Sequence, residues 1–304
     1  SILIAVIVTL TLVLSVNYFT KSTFIEIYIA RLLDKYKQEV EDFCKSIHDI
    51  VYPYDVYVPA VNGEYEKTLA LALLFIALNT SKANCDNILP IPSPPTFPNQ
   101  LRLEGIDPLT GVKSMYGYIF WNESTRQACL SFTGSITPSQ WMNDFRFQLT
   151  EATQLNGYQP GVMCHSGFYL AYLSIRNQIL SFLGDNPWIK HLFITGHSLG
   201  GALSTVCSYD LADYPFELIH YSFASPRSGN ALYSNIFNQR VPQSLRVVNT
   251  EDIVPGLPPS VIAGNLYQHT ATIVPFTINL GTLTMNHSEA YVEYMPTKHH
   301  VTEF

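Results

Sequence analysis

The tightest constraint on this 304-residue chain is the hexapeptide Gly196-His197-Ser198-Leu199-Gly200-Gly201. An apolar run, His191-Leu192-Phe193-Ile194-Thr195, leads into it, and a small-residue helical pattern, Ala202-Leu203-Ser204-Thr205-Val206-Cys207, leads out. The order is strand, sharp turn, helix. Glycine fits at 196 and 200, because side chains two residues either side of Ser198 would strike the neighbouring strand or helix. A turn of this kind holds a serine hydroxyl out of the fold, in a strained backbone conformation, where a base can reach it. The Leu199 amide then points at a developing oxyanion, and the helix N-terminus adds the positive end of its dipole. Three fixed positions recur by chance in about one chain in ten of this length, so the flanking strand and helix carry much of the weight.

Strands and helices alternate around this turn. Met115 to Trp121 and Arg126 to Phe132 read as strands joined by a turn at Asn122-Glu123-Ser124. Phe168 to Leu183 reads as a helix with Phe168, Tyr172, Ile175, Ile179 and Phe182 on one face. His220 to Ala224 and Leu245 to Asn249 are further strands, and Lys67 to Leu78 is a strongly apolar helix. The alternation implies an α/β chain whose central sheet is largely parallel, with helices on both faces. Ligand sites lie at the carboxyl ends of such strands, and Thr133, Ser198, Ala224 and Asn249 fall at or just past them. Pro90 to Pro98 holds too many prolines for regular structure and reads as an extended connector. Apolar residues make up 47% of the chain and charged residues 13%, which excludes a disordered polymer. With a net charge of -7 and no Lys/Arg cluster, the chain offers no footprint for a nucleic acid.

Ile2 to Phe19 carries no charge. Residues 1–22 are expected to be a secretory signal peptide or a membrane anchor, with a buried segment as the other reading. Residues 23–62 read as a helical extension and 63–304 as the main domain. Asn79, Asn122 and Asn286 open Asn-x-Ser/Thr sequons, which fit a secreted or lumenal route. None of the five cysteines stands in a Cys-x-x-Cys pair, so zinc chemistry is unsupported, and Cys129 and Cys207 read as buried small hydrophobes.

Gly-x-Ser-x-Gly is the nucleophile elbow of α/β-hydrolases, in which the acid and then the histidine follow the serine along the chain. Asp252 lies just past the strand that ends at Asn249, where an acid must sit to reach a histidine. The histidines beyond it are His269, His287, His299 and His300, the last two in a terminal tail.

Several segments together resemble the class 3 lipase family, whose best-known members are secreted fungal triacylglycerol lipases. They are the elbow from Gly196 to Leu203, Phe223-Ala224-Ser225-Pro226-Arg227-Ser228-Gly229-Asn230, the acid loop Asp252 to Pro259, Phe132-Thr133-Gly134-Ser135 with Trp141 and Asp144, and His165-Ser166-Gly167-Phe168. They run in the family's order over roughly Tyr116 to Tyr291. The resemblance implies an α/β-hydrolase fold with a short lid helix and a triad of Ser198, Asp252 and His287. It implies an oxyanion hole from Ser135 and the Leu199 amide, with His269, His165 and His197 structural. His287 departs from the family's Asp-His-x-x-Tyr by one extra residue before Tyr291, and Thr133 stands where the family has arginine. In the stretch after Ser135, Pro138 suits the first turn of a short helix, with Thr137 as its N-cap. Ile136, Trp141, Met142 and Phe145 are too apolar for an ordinary exposed loop, and the resemblance makes them a lid, with Asp144 hydrogen-bonded to Ser135. The expected activity is hydrolysis of lipid carboxylic esters, triacylglycerols first, at a lipid–water interface; the alternatives are a phospholipase or monoacylglycerol lipase on the same scaffold and, behind them, a hydrolase fold kept as a non-enzymatic binding module. No metal or cofactor is expected, and membrane association would come only through the N-terminal segment.

Overall fold

The computed structural model describes residues 38, 41–42, 44–45, 66–86, 91–107, 111–134, 148–262 and 264–295. The expected signal or anchor at 1–22, nearly all of the extension 23–62, Ser135, the lid stretch and the tail bearing His299 and His300 lie outside the described residues.

Helix α1 (Lys67–Asp86) contains neither glycine nor proline and is buried from Leu69 to Ser81. A helix apolar all round belongs in a core. After the proline connector, β1 (Asn99–Ile106), β2 (Lys113–Asn122) and β3 (Gln127–Phe132) form an antiparallel meander. A small hairpin of β4 (Leu149–Glu151) and β5 (Met163–His165) leads into α2 (Ser166–Asp185). Then β6 (His191–His197), α3 (Leu199–Leu211), β7 (Glu217–Phe223), α4 (Ala231–Arg240) and β8 (Ser244–Asn249) alternate. A short hairpin of β9 (Val261–Ile262) and β10 (Asn265–Leu266) precedes β11 (Thr272–Phe276), α5 (Leu283–His287) and α6 (Glu289–Tyr294).

The main sheet has the order β1-β2-β3-β6-β7-β8-β11, and every pairing from β3 onward is parallel. Its residues alternate between two cores, as the two-residue strand period requires. Ile119, Leu130, Leu192 and Ile194 face the side covered by α2, α3 and α4. Tyr118, Phe120, Cys129, Phe193 and Tyr221 face the side covered by α1 and α6. The five apolar residues expected on one face of α2 are all buried. The largely parallel sheet with helices on both faces is therefore as expected. Two of its strands were not legible. β1 is half exposed and reads Asn-Gln-Leu-Arg-Leu-Glu-Gly-Ile, and β11 carries Pro275, which a strand tolerates only at the sheet edge where β11 lies. Cys129, Cys164 and Cys207 are free and buried, while Cys44 is disulfide-bonded.

Candidate active site

The parallel strands end together, and the loops leaving β3, β6, β7 and β8 meet around Ser198. Ser198 is the single residue between β6 and α3, with φ 60° and ψ -125°. A non-glycine residue at positive φ stores on the order of 1–3 kcal/mol, so the surroundings must hold it there. They do: the Ser198 amide donates to the Phe223 carbonyl at 2.9 Å, and the Ser198 carbonyl accepts from the Gly201 amide at 2.9 Å. The glycines follow from close approach. A Cβ on Gly196 would overlap the Gly200 backbone, and one on Gly200 would overlap the Phe132 carbonyl. Leu199 opens α3, so its amide is among the N-terminal groups that no helix turn satisfies.

The loop after β3 passes beside the serine. A Cβ on Gly134 would stand 3.5 Å from Ser198 Cβ and 3.1 Å from the His197 carbonyl. The Gly134 amide donates to Ser81 Oγ on α1 at 3.0 Å, a long-range tie that no local pattern announces. Ser135 is the next residue. Like Ile136, Trp141, Met142, Asp144 and Phe145, it lies outside the described residues.

Asp252 sits three residues past β8 and is turned inward by local bonds. Its amide donates to the Asn249 carbonyl at 3.1 Å, and its Oδ1 accepts from the Val254 amide at 3.0 Å. Its Oδ2 accepts from His287 Nδ1 at 2.8 Å and from the Tyr291 hydroxyl at 2.9 Å. Both side chains of the Asp252–His287 pair are 1% exposed. Burial, and then the Asp252 charge, push the Tyr291 phenol well above its ordinary range, so it stays a donor. Arg227, from the run after β7, steadies the acid loop by donating through Nη1 to the carbonyls of Gly256 (2.5 Å) and Pro258 (2.6 Å).

His287 Nε2 is buried and has no partner among the described residues. It is the nitrogen left to take a proton, and a serine–histidine bond often tightens only when substrate is bound. The His287 ring lies 4.7 Å from the ring of His197, the residue before the serine, which puts His287 beside the elbow. Ser288, with φ of -123° and ψ of -72°, breaks the chain between α5 and α6. Tyr291, on α6, reaches Asp252. Its hydrogen bond to Asp252 was not foreseen, because no local pattern links residues 39 apart in the chain. Asn249 was expected at a strand end, but not its bonding role. It donates through Nδ2 to the carbonyls of Ile278 (2.8 Å) and Asn286 (3.0 Å), tying the end of β8 to α5.

His269 and His165 have other partners. His269 Nε2 donates to the Pro255 carbonyl at 2.8 Å, and burial takes its pKa down to about 3. His165 caps α2, its Nδ1 accepting from the Gly167 amide at 3.1 Å. Asp210, on α3, is held by Arg176 at 2.7 Å and by the Tyr172 hydroxyl at 2.7 Å.

The match to known proteins falls on this region. Residues 129–262 match the family model described as Lipase (class 3). The secreted mono- and diacylglycerol lipase 1 of Fusarium solani is 33% identical over 170 residues, which cover 54% of this chain and 48% of that protein. A chloroplastic phospholipase A(1) of Arabidopsis thaliana is 31% identical over 174 residues, 49% of this chain and 38% of that protein. The chain thus spans about half or less of the length of these two relatives. Among solved structures, the native propeptide complex of Rhizomucor miehei lipase superposes with a TM-score of 0.53 at 20% identity, covering 75% of this chain and 76% of that one. That likeness concerns the α/β-hydrolase fold alone.

Proposed function

We propose, from the match of residues 129–262 to the class 3 lipase family model, that the protein is a serine hydrolase of lipid carboxylic esters. The observation that carries the reading is the buried Asp252–His287 bond beside a serine held at positive φ. In this reading Ser198 Oγ attacks the ester carbonyl while His287 Nε2 takes the hydroxyl proton. The tetrahedral oxyanion is stabilised by the Leu199 amide and by Ser135, the residue after Gly134. His287 then returns the proton to the leaving alcohol, which departs and leaves an acyl-Ser198. Water, deprotonated by His287, releases the acid and restores the serine. Asp252 keeps the imidazole in the tautomer with Nδ1–H and stabilises its cation.

Triacylglycerol is the first substrate to test. The names of the relatives favour a second reading on the same machinery, in which mono- or diacylglycerols or phospholipids are the esters cleaved. The catalytic unit is taken as 63–304, with Ile136, Trp141, Met142, Asp144 and Phe145 as a lid over the site. The secreted relative supports an extracellular or lumenal protein. Side-by-side hydrolysis of triglyceride, diglyceride, phospholipid and short soluble esters, with Ser198→Ala as the blank, tests the reading. Turnover of at least one lipid ester in the parent alone is expected. Equal rates in parent and blank would sink it.

A further inference from the structure

The nucleophile and its base are joined by a side chain that the mechanism above does not use. His197 is fully buried at the end of β6, next to Ser198. Its Nε2 lies 2.6 Å from the main-chain carbonyl oxygen of His287. A carbonyl can only accept, so Nε2 carries the hydrogen and His197 is the donor. Its ring also lies against the His287 ring, with centroids 4.7 Å apart at 51°, and meets the Tyr291 ring edge-on at 5.6 Å and 87°. Tyr291 is in turn bonded to Asp252.

We infer that His197 is a positioning residue that fixes the backbone of His287 relative to Ser198; this rests on the triad reading proposed above. The base stands at the end of the five-residue helix α5, just before the break at Ser288. A helix that short has little rigidity of its own. The Asp252 bond orients the imidazole about its Nδ1 but leaves the main chain of residue 287 to other restraints. His197 supplies one, from the residue whose own position is set by the elbow. Any drift of the elbow therefore carries the base with it, and the serine-to-imidazole geometry is preserved. The chemistry also requires His197 to stay neutral. His287 becomes a cation in each half-reaction, and a second imidazolium one ring-contact away would oppose it. Burial, with His287 adding to it, holds the His197 pKa well below its ordinary value.

The test compares two side chains of equal length, His197→Gln with an amide donor and His197→Met without one, and adds His197→Phe as a second donorless variant. The readouts are kcat and KM on a soluble ester, the rate of labelling of Ser198 by a fluorophosphonate, and the melting temperature. The Met and Phe variants are expected to lose roughly 10- to 100-fold in kcat and in labelling rate with KM nearly unchanged, the cost of a base displaced by a fraction of an ångström to an ångström. Gln should recover most of that loss. The inference is overturned if either donorless variant that folds keeps the parent kcat, or if Gln falls as far as Met, which would make the role one of packing alone. A parent that hydrolyses no ester and does not label overturns the triad reading, and this inference with it. An active parent with indifferent variants overturns this inference only.

Discussion

Ser198 shows how much a single residue can be made to hold. Its φ of 60° is strained for any residue with a Cβ, and Ser198→Ala keeps that strain while removing the proposed nucleophile. Turnover should vanish in the alanine variant with the melting temperature almost unchanged. Ser198→Gly should lose turnover equally but gain stability, because glycine adopts this φ freely. A relief of about 1 kcal/mol corresponds to a rise of about 2 °C, readable by calorimetry. A glycine variant no more stable than the alanine variant would contradict the strain. Asn286 makes a second residue-scale case. Its Oδ1 accepts from the Leu280 amide at 2.6 Å, its Nδ2 faces the Glu251 carbonyl at 3.3 Å, and it is 7% exposed. Asn79 is equally buried, with Nδ2 on the Phe75 carbonyl at 2.9 Å. Neither sequon has room for a glycan in the fold, so peptide mapping of protein secreted from a glycosylating host should find both unmodified. Full occupancy at Asn286 in active protein would be incompatible with this geometry.

At the scale of elements, two short segments divide the work of two histidines. The loop from Asp252 to Pro259 is braced by Arg227 and His269, while α5 delivers His287. His287→Ala should cost several orders of magnitude in kcat, since members of a triad act as a unit. His269→Ala removes a buried bond to the Pro255 carbonyl, and should cost about 1–3 kcal/mol of stability with a much smaller loss of kcat. Paired kinetics and denaturant titrations would separate the two, and the reverse pattern would reassign the base. The proposed lid is an element of another kind. Its apolar set is worth about 25 cal/mol per Å² kept from water, so a lipid surface should release it. Hydrolysis rate should jump when an ester substrate passes its solubility limit, and Trp141→Ala should blunt the jump more than it slows soluble-ester turnover. A smooth saturation curve in the parent protein would argue for a plain esterase.

The whole molecule carries an acid sensitivity built from its core. Burial takes His165, His220 and His269 from an ordinary 6.5 to about 3, and His197 is lowered as well. His220 lies between α3 and β8, bonded to Ser204 Oγ at 2.9 Å and Ser244 Oγ at 2.7 Å. A folded-state pKa below the unfolded value means that the unfolded chain binds more protons between pH 6.5 and 3. Stability is then complete above about pH 6.5 and falls as the pH drops towards 3. Each such histidine contributes on the order of 1 kcal/mol per pH unit within that window. Melting temperatures measured from pH 7 to pH 4 should fall steadily. His220→Gln, though less stable at neutral pH, should show a shallower slope, and a slope identical to the parent's would mean that His220 is not held neutral by the fold.

The sequence by itself determined what is local or periodic. The elbow was legible because glycine spacing, an apolar strand and a small-residue helix lie within one short stretch. The parallel strands β3, β6, β7 and β8, and helix α2, were legible because their apolar periods match their burial. Asp252 followed from chain order and its place after β8. The tertiary structure decided what depends on residues far apart in sequence. It put Asp252 on His287 across 35 residues and brought Tyr291 onto the same carboxylate. It also set Ser81 of α1 against the Gly134 amide and joined His197 to the His287 carbonyl across 90 residues. Across the break at Ser288, His287 of α5 and Tyr291 of α6 both reach the Asp252 carboxylate. Local pattern encodes which groups face inward; only the closing of the sheet and its helices fixes which of those groups meet.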